Sequence, residues 1–156
     1  MAPPKPARDL KKYFSVDEAN KALPLVKMIV GDIVRQWDHV NSLKQRLAVV
    51  ARRDPRRRAA TADPYLEEVV QSQAEMETEE AKLRSYMEEL EHLGVELKGF
   101  DGLCDFPSLR DGREIYLCWR LGEPDVAHWH DLNAGFAGRQ PLHPAPAATS
   151  SGKGGR

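Results

Sequence analysis

The chain has 156 residues, 41% hydrophobic and 30% charged, with a formal net charge of -1; this suits a single domain with a core beneath much solvated helix surface. Near-neutrality excludes a global attraction to nucleic acid or to a membrane surface, so nucleic acid is not an expected partner. Two cysteines, with no secretory apolar segment and no long apolar run, argue against a disulfide framework and a membrane span, and make the cytoplasm the expected compartment.

Residues 1–12 carry Pro3, Pro4 and Pro6, lack apolar side chains to pack, and read as a disordered leader. One domain is expected over 13–142, made of a helical hairpin over 13–94 and a β-cassette over 95–142, followed by a low-complexity, disordered tail over 143–156. The first helix starts at a capping-box pattern, Ser15 with Glu18, with Phe14 placed as a hydrophobic staple. From there Val16, Ala19, Leu23, Val26, Val30, Ile33, Trp37, Val40, Leu47 and Ala51 recur at alternating three- and four-residue steps, interrupted by Lys44. A helix of roughly 35 residues is about 50 Å long, more than a compact domain of this size needs, and should protrude. Pro55 ends it within Arg52–Arg58, where five Arg face one Asp; with no aromatic interleaved, this reads as a solvated turn.

The second helix opens near Asp63-Pro64, with Asp as cap and Pro at the first helical position, and ends at Leu93-Gly94. Its seam is Leu66, Val69, Met76, Leu83, Met87 and Leu90, interrupted by Gln73 and Glu80. Between Tyr65 and Leu93 nine Glu oppose Lys82 and Arg84. Two long antiparallel helices leave one side of each apolar stripe wet, and the options for covering it are the β-cassette near the base and a second copy of the protein.

Beyond Gly94 the pattern turns to alternation, giving three or four short antiparallel strands separated by Gly-containing turns. Within Arg113–Arg120 the residues Ile115, Leu117 and Trp119 share one face, and Glu114, Tyr116, Cys118 and Arg120 the other. A connecting loop at Leu121–Asp125 then sets Leu117 opposite Trp129, Cys118 opposite His128 and Tyr116 opposite His130. One face becomes an apolar slab for the helices. The other gathers Glu114, Tyr116, Cys118, Arg120, His128 and His130, with Val126 expected beside them, and is expected to be solvated. Asp131 to Leu142 should cross the sheet as an ordered loop.

Three chemistries fit this second face. Cys118, His128 and His130 offer sulfur and nitrogen donors for a metal, with Asp105 or Glu114 as a further ligand. Arg120, held by Glu123 and bordered by His130 and Tyr116, suits a small anionic ligand, because a guanidinium grips carboxylate or phosphate bidentately. Nucleophilic work by Cys118 would need a lowered thiol pKa and an oxyanion site, which no motif supplies. No Gly-rich phosphate loop or dinucleotide fingerprint is present, so no cofactor is indicated.

Tyr13-Phe-Ser-Val-Asp-Glu-Ala-Asn20, Gly102-Leu-Cys-Asp-Phe-Pro107, Cys118-Trp-Arg-Leu-Gly-Glu-Pro124 and Trp129-His-Asp131 carry a resemblance. Together with Gly135-Phe136, they make residues 13–142 resemble the bacterial domain-of-unknown-function family numbered 2203. The resemblance implies that Asp105, Phe106, Arg120, Gly122, Glu123 and His130 are fixed positions and Cys104 and His128 variable ones. It implies no activity or cofactor. The expected fold is α+β, a long helical hairpin packed at its base on a small antiparallel sheet. The expected function is a non-enzymatic, self-associating interaction or ligand-binding module, a homo-oligomer with Arg120, Glu123, His130, Tyr116 and Asp105 as ligand site for a protein or a small anion. The alternative is a metal-dependent or acid/base enzyme using Arg120, His130 and Glu123.

Overall fold

The computed structural model describes residues 11–52 and 62–143, which leaves the Arg-rich turn beyond Arg52, most of the leader and most of the tail outside the described residues. Helix α1 spans Val16–Ala51, and the capping box forms: Ser15 Oγ accepts from Glu18 N at 3.0 Å while Glu18 Oε1 accepts from Ser15 N at 2.9 Å. Helix α2 spans Ala62–His92, so Asp63 and Pro64 lie inside its first turn and not at the expected cap and first helical position. The α1 seam is buried along Ala19, Leu23, Val26, Val30, Ile33 and Val40, while Trp37 instead stacks on Phe100 at 5.1 Å. Polar groups set the hairpin's register. Gln36 Nε2 donates to Glu79 O and Oε1, each at 2.9 Å, and the two seam interruptions meet as Lys44 Nζ and Glu80 Oε2, 3.4 Å apart. Among the described residues no helix is long and apolar enough to cross a membrane.

The sheet has five antiparallel strands in sequence order: β1 (Glu96–Gly99), β2 (Leu103–Arg110), β3 (Arg113–Arg120), β4 (His128–Asp131) and β5 (Gln140–Pro141). This exceeds the expected three or four by the short β5, which forms because the segment after β4 folds back and Leu142 N donates to Ala127 O at 2.8 Å. Asp111 (φ 52) and Gly112 (φ 78) form the tight turn between β2 and β3, both in the left-handed region that such hairpins require. At the other end Gly102 has no tolerance for a side chain: a Cβ there would lie 2.5 Å from Leu121 Cβ.

The register of β3 on β4 is the expected one, with Tyr116 opposite His130, Leu117 opposite Trp129 and Cys118 opposite His128. Val126 departs from expectation. It precedes the strand, so alternation does not govern it, and it turns into the core at 2% exposure instead of joining the polar face. Asn20 holds it there from α1: Oδ1 accepts from Val126 N at 2.8 Å and Nδ2 donates to Val126 O at 3.3 Å.

One core joins the base of α1 to the slab face. It contains Leu23, Val26, Val30 and Ile33 from α1, Leu90 from α2, and Cys104, Phe106, Ile115, Leu117, Trp119 and Trp129 from the sheet. The residues just before α1 are tied across the sheet's far end. Phe14 N donates to Pro107 O at 2.7 Å, Ser108 Oγ donates to Phe14 O at 2.5 Å, and the Phe14 ring meets Phe106 edge-on at 5.2 Å. Lys11, within the expected leader, also reaches the sheet, with Nζ 3.0 Å from Glu114 Oε1.

Trp119 is fully buried, and its indole N–H donates to Glu123 O at 3.0 Å. Trp119→Ala should therefore lower stability by about 3–5 kcal/mol, the cost of a large core cavity. A chemical-denaturation midpoint close to that of the parent would show that the slab is not the core.

Candidate functional site

The face of the sheet opposite the helices is built by alternation. Asp105 pairs in register with Cys118, Cys118 with His128, and Tyr116 with His130, so three adjacent strands bring acid, thiol and imidazole onto one surface. This face is not solvated, contrary to expectation: Asp105, Cys118 and His130 are all buried. The Tyr116 ring lies over His130 at 5.6 Å and is flanked by Lys98 at 4.9 Å and Lys11 at 5.9 Å, and its hydroxyl donates to Glu96 Oε1 at 3.0 Å. On the other side the segment after β4 brings in Arg139, whose Nη1 donates to Cys118 Sγ at 3.9 Å.

Both ring nitrogens of His130 are engaged. Nδ1 lies 2.7 Å from Asp131 O, an acceptor only, so this nitrogen carries hydrogen. Nε2 lies 3.0 Å from Asp105 Oδ1, and that contact must also hold a proton, either on the imidazole or on the acid. Burial pushes the Asp105 carboxyl above the ordinary carboxylate value, with His130 pulling in the opposite direction. Burial and the Asp105 charge also push the Cys118 thiol up, to about 11, despite a lowering from Arg139. Cys104, buried on the slab face, is pushed up to about 12. Neither sulfur is a nucleophile poised for neutral pH. The side chains of His130 and Asp105 are only 2% and 5% exposed.

The expected Arg120–Glu123 pairing is replaced by an exchange of partners. Glu123 Oε1 accepts from the backbone N of Arg120 at 2.9 Å, but its carboxylate is gripped bidentately by Arg139, with Nη1 at 3.0 Å from Oε1 and Nη2 on Oε2. The Arg120 guanidinium bonds Asp101 Oδ2 and stacks on Phe136 at 4.5 Å, and Arg139 stacks on the same ring at 4.3 Å. Arg139 is the principal contact holding the Glu123 carboxyl below its ordinary value.

The named residues thus fall into two groups. Asp105, His130 and Tyr116 gather with Cys118, whereas Arg120 and Glu123 gather with Asp101, Phe136 and Arg139. His128 is half-buried and stands outside the first group. Among the described residues, Asp105, Cys118 and His130 form a set whose possible donor atoms all lie within 4.8 Å of one another, so Asp105 takes the place expected for His128. Asp101, Glu96 and Arg139 were not legible as partners, because each reaches the site from a turn, an edge strand or a loop whose direction no periodicity fixes.

Two consequences are measurable. With both nitrogens bonded, His130→Ala strands the buried Asp105 carboxyl and should cost about 1–3 kcal/mol, where a solvated histidine would cost 1 kcal/mol or less; a denaturation midpoint unchanged from the parent would contradict this. Arg139 holds the folded-state pKa of Glu123 below the ordinary carboxylate value, so its contribution is present above that ordinary value and lost as pH falls through the folded pKa. Glu123→Gln should therefore be less stable than the parent by about 1–2 kcal/mol near neutrality, with the two melting curves converging on acidification. A gap that stays constant down to strongly acidic pH would exclude the ion pair as its source.

The family model described as "Uncharacterized conserved protein (DUF2203)" matches residues 12–142. No curated protein and no solved structure matches the chain.

Proposed function

The chain belongs to the DUF2203 family of uncharacterized conserved proteins, and from the surfaces that this family domain leaves open we propose that it is a self-associating interaction module whose hairpin pairs with a second copy of the chain. The observation that carries the reading is the outer half of the hairpin. Beyond Val40 none of the described α1 residues belongs to the core shared with the sheet, and Val49, Leu66 and Val70 are 59%, 54% and 61% exposed. Beside them lies a groove of about 530 Å3 lined by Leu47, Ala48, Ala51, Val69 and Met76, with Lys44 and Gln73 among them. An apolar stripe of this kind on a two-helix unit calls for a further helix.

Charge selects the occupant. Near the outer end of α1 stand Arg46 and the C-cap Arg52, both exposed, while α2 carries nine Glu against Lys82 and Arg84. A second copy laid against the first brings these two arginines beside the acidic helix of the other, and flanking charges of opposite sign favour such a partner.

A small anionic ligand on the cassette is the companion reading. It is supported by two buried polar atoms without a hydrogen-bond partner, Arg120 Nε and His128 Nδ1, and by the closeness of the Arg120 and Arg139 guanidinium groups across Phe136. The cytoplasm is the proposed compartment, in keeping with two cysteines that are both free.

Light scattering across a concentration series should give twice the chain mass at high concentration. Leu66→Glu with Val70→Glu, both at exposed positions, should restore the monomer without lowering the thermal midpoint of the isolated fold. A strict monomer at every concentration for the unaltered chain would refute the pairing.

A further inference from the structure

We propose that Asp105 Oδ1, Cys118 Sγ and His130 Nε2 form a buried site for a single divalent transition cation of the zinc class, tying β2, β3 and β4 together on the face away from the helices. The three donors are a carboxylate, a sulfur and an imidazole nitrogen, the mixed set that suits a borderline-soft cation and discriminates against calcium and magnesium, which take oxygen. They come from three neighbouring strands, and the donor atoms lie within 4.8 Å of one another. Around a tetrahedral zinc such atoms are separated by about 3.3–3.8 Å. The observed set lies within a side-chain adjustment of that geometry, and Nε2 and Oδ1 are already at 3.0 Å.

The surroundings are those of a ligand set. His130 donates its other ring N–H to Asp131 O at 2.7 Å, the contact that aims a metal-binding imidazole, and Nε2 would exchange its bond to Asp105 Oδ1 for the cation. Arg139 donates to the sulfur at 3.9 Å, a contact that favours thiolate, and its own charge is met by Glu123. Binding replaces two protons. The cation forms bonds to sulfur, nitrogen and oxygen; the proton on the Cys118 thiol and the proton held between His130 and Asp105 leave to solvent. A thiolate, a carboxylate and a neutral imidazole then balance the cation's two charges within a buried pocket, where each alone is costly. Cys104 takes no part, because it faces the helices in the slab.

The test uses the full chain purified without a histidine tag, kept reduced, and titrated with cobalt(II) alone. A near-ultraviolet sulfur-to-cobalt band should grow to saturation at a single equivalent and disappear when zinc is added. Cys118→Ser should abolish the band, while Cys104→Ser and His128→Ala should keep it. A band that survives Cys118→Ser, or that is lost in His128→Ala, overturns the assignment. So does the absence of any band in the unaltered chain, a result that decides the matter even if the Cys118 variant fails to fold. Because the band is read per chain, its outcome is independent of whether the hairpins pair.

Discussion

A sheet with helices on one side ordinarily leaves its other side to water, but β3 is covered on both. Ile115, Leu117 and Trp119 face α1 and α2, and Cys118 faces the opposite way and is just as completely buried. The cover on that second side is thin: the Tyr116 ring with its two lysines, and the segment from Asp131 to Leu142 that returns as β5. A surface enclosed so lightly has to draw partners for its central polar atoms from its own members. The Asp105–His130 contact does this at the centre of the sheet, because the carboxyl and Nε2 have each other and Nδ1 has the Asp131 carbonyl.

Around this centre the charges are arranged so that few stand alone. Glu123 is shared between the Arg120 backbone N–H and the Arg139 guanidinium, and Arg120 is left to Asp101 and the Phe136 ring. Phe136 between two guanidinium groups costs less than it first suggests, since each cation meets a carboxylate at its outer edge. Bidentate contact also gives the loop a fixed orientation that hydrophobic packing over so short a segment could not supply.

Much of the fold was legible because it rests on two periodicities. The seven-residue spacing from Ala19 to Val40 and the two-residue alternation of β3 specify faces directly, and the β3–β4 register followed from them. Val126 was misplaced for the same reason: alternation was extended two residues beyond the strand, into a loop that Asn20 governs. The candidate site was half legible. His130, Cys118 and Asp105 lie on strands and could be placed on one face, but their burial could not, because the cover comes from a loop with no repeating pattern. Arg139 illustrates the limit. It stands nine residues after His130 in sequence, and only the backward turn through Phe136–Gly138 carries it over the sheet to Glu123.

The contacts that anchor the start of α1 have a kinetic meaning. Every strand in the sheet pairs with its neighbour in sequence, and the two helices form a hairpin, so most of the molecule assembles from local contacts, the topology associated with rapid folding. Beside the packing of α1 on the slab, the long-range ties include Phe14 with Ser108 and Asn20 with Val126, which close loops of 94 and 106 residues. Loop entropy grows only with the logarithm of length, so these closures are affordable once the sheet exists and ineffective before it. The start of α1 thus acts as a latch on a preformed sheet, and loosening it exposes the slab while leaving the meander's own hydrogen bonds intact.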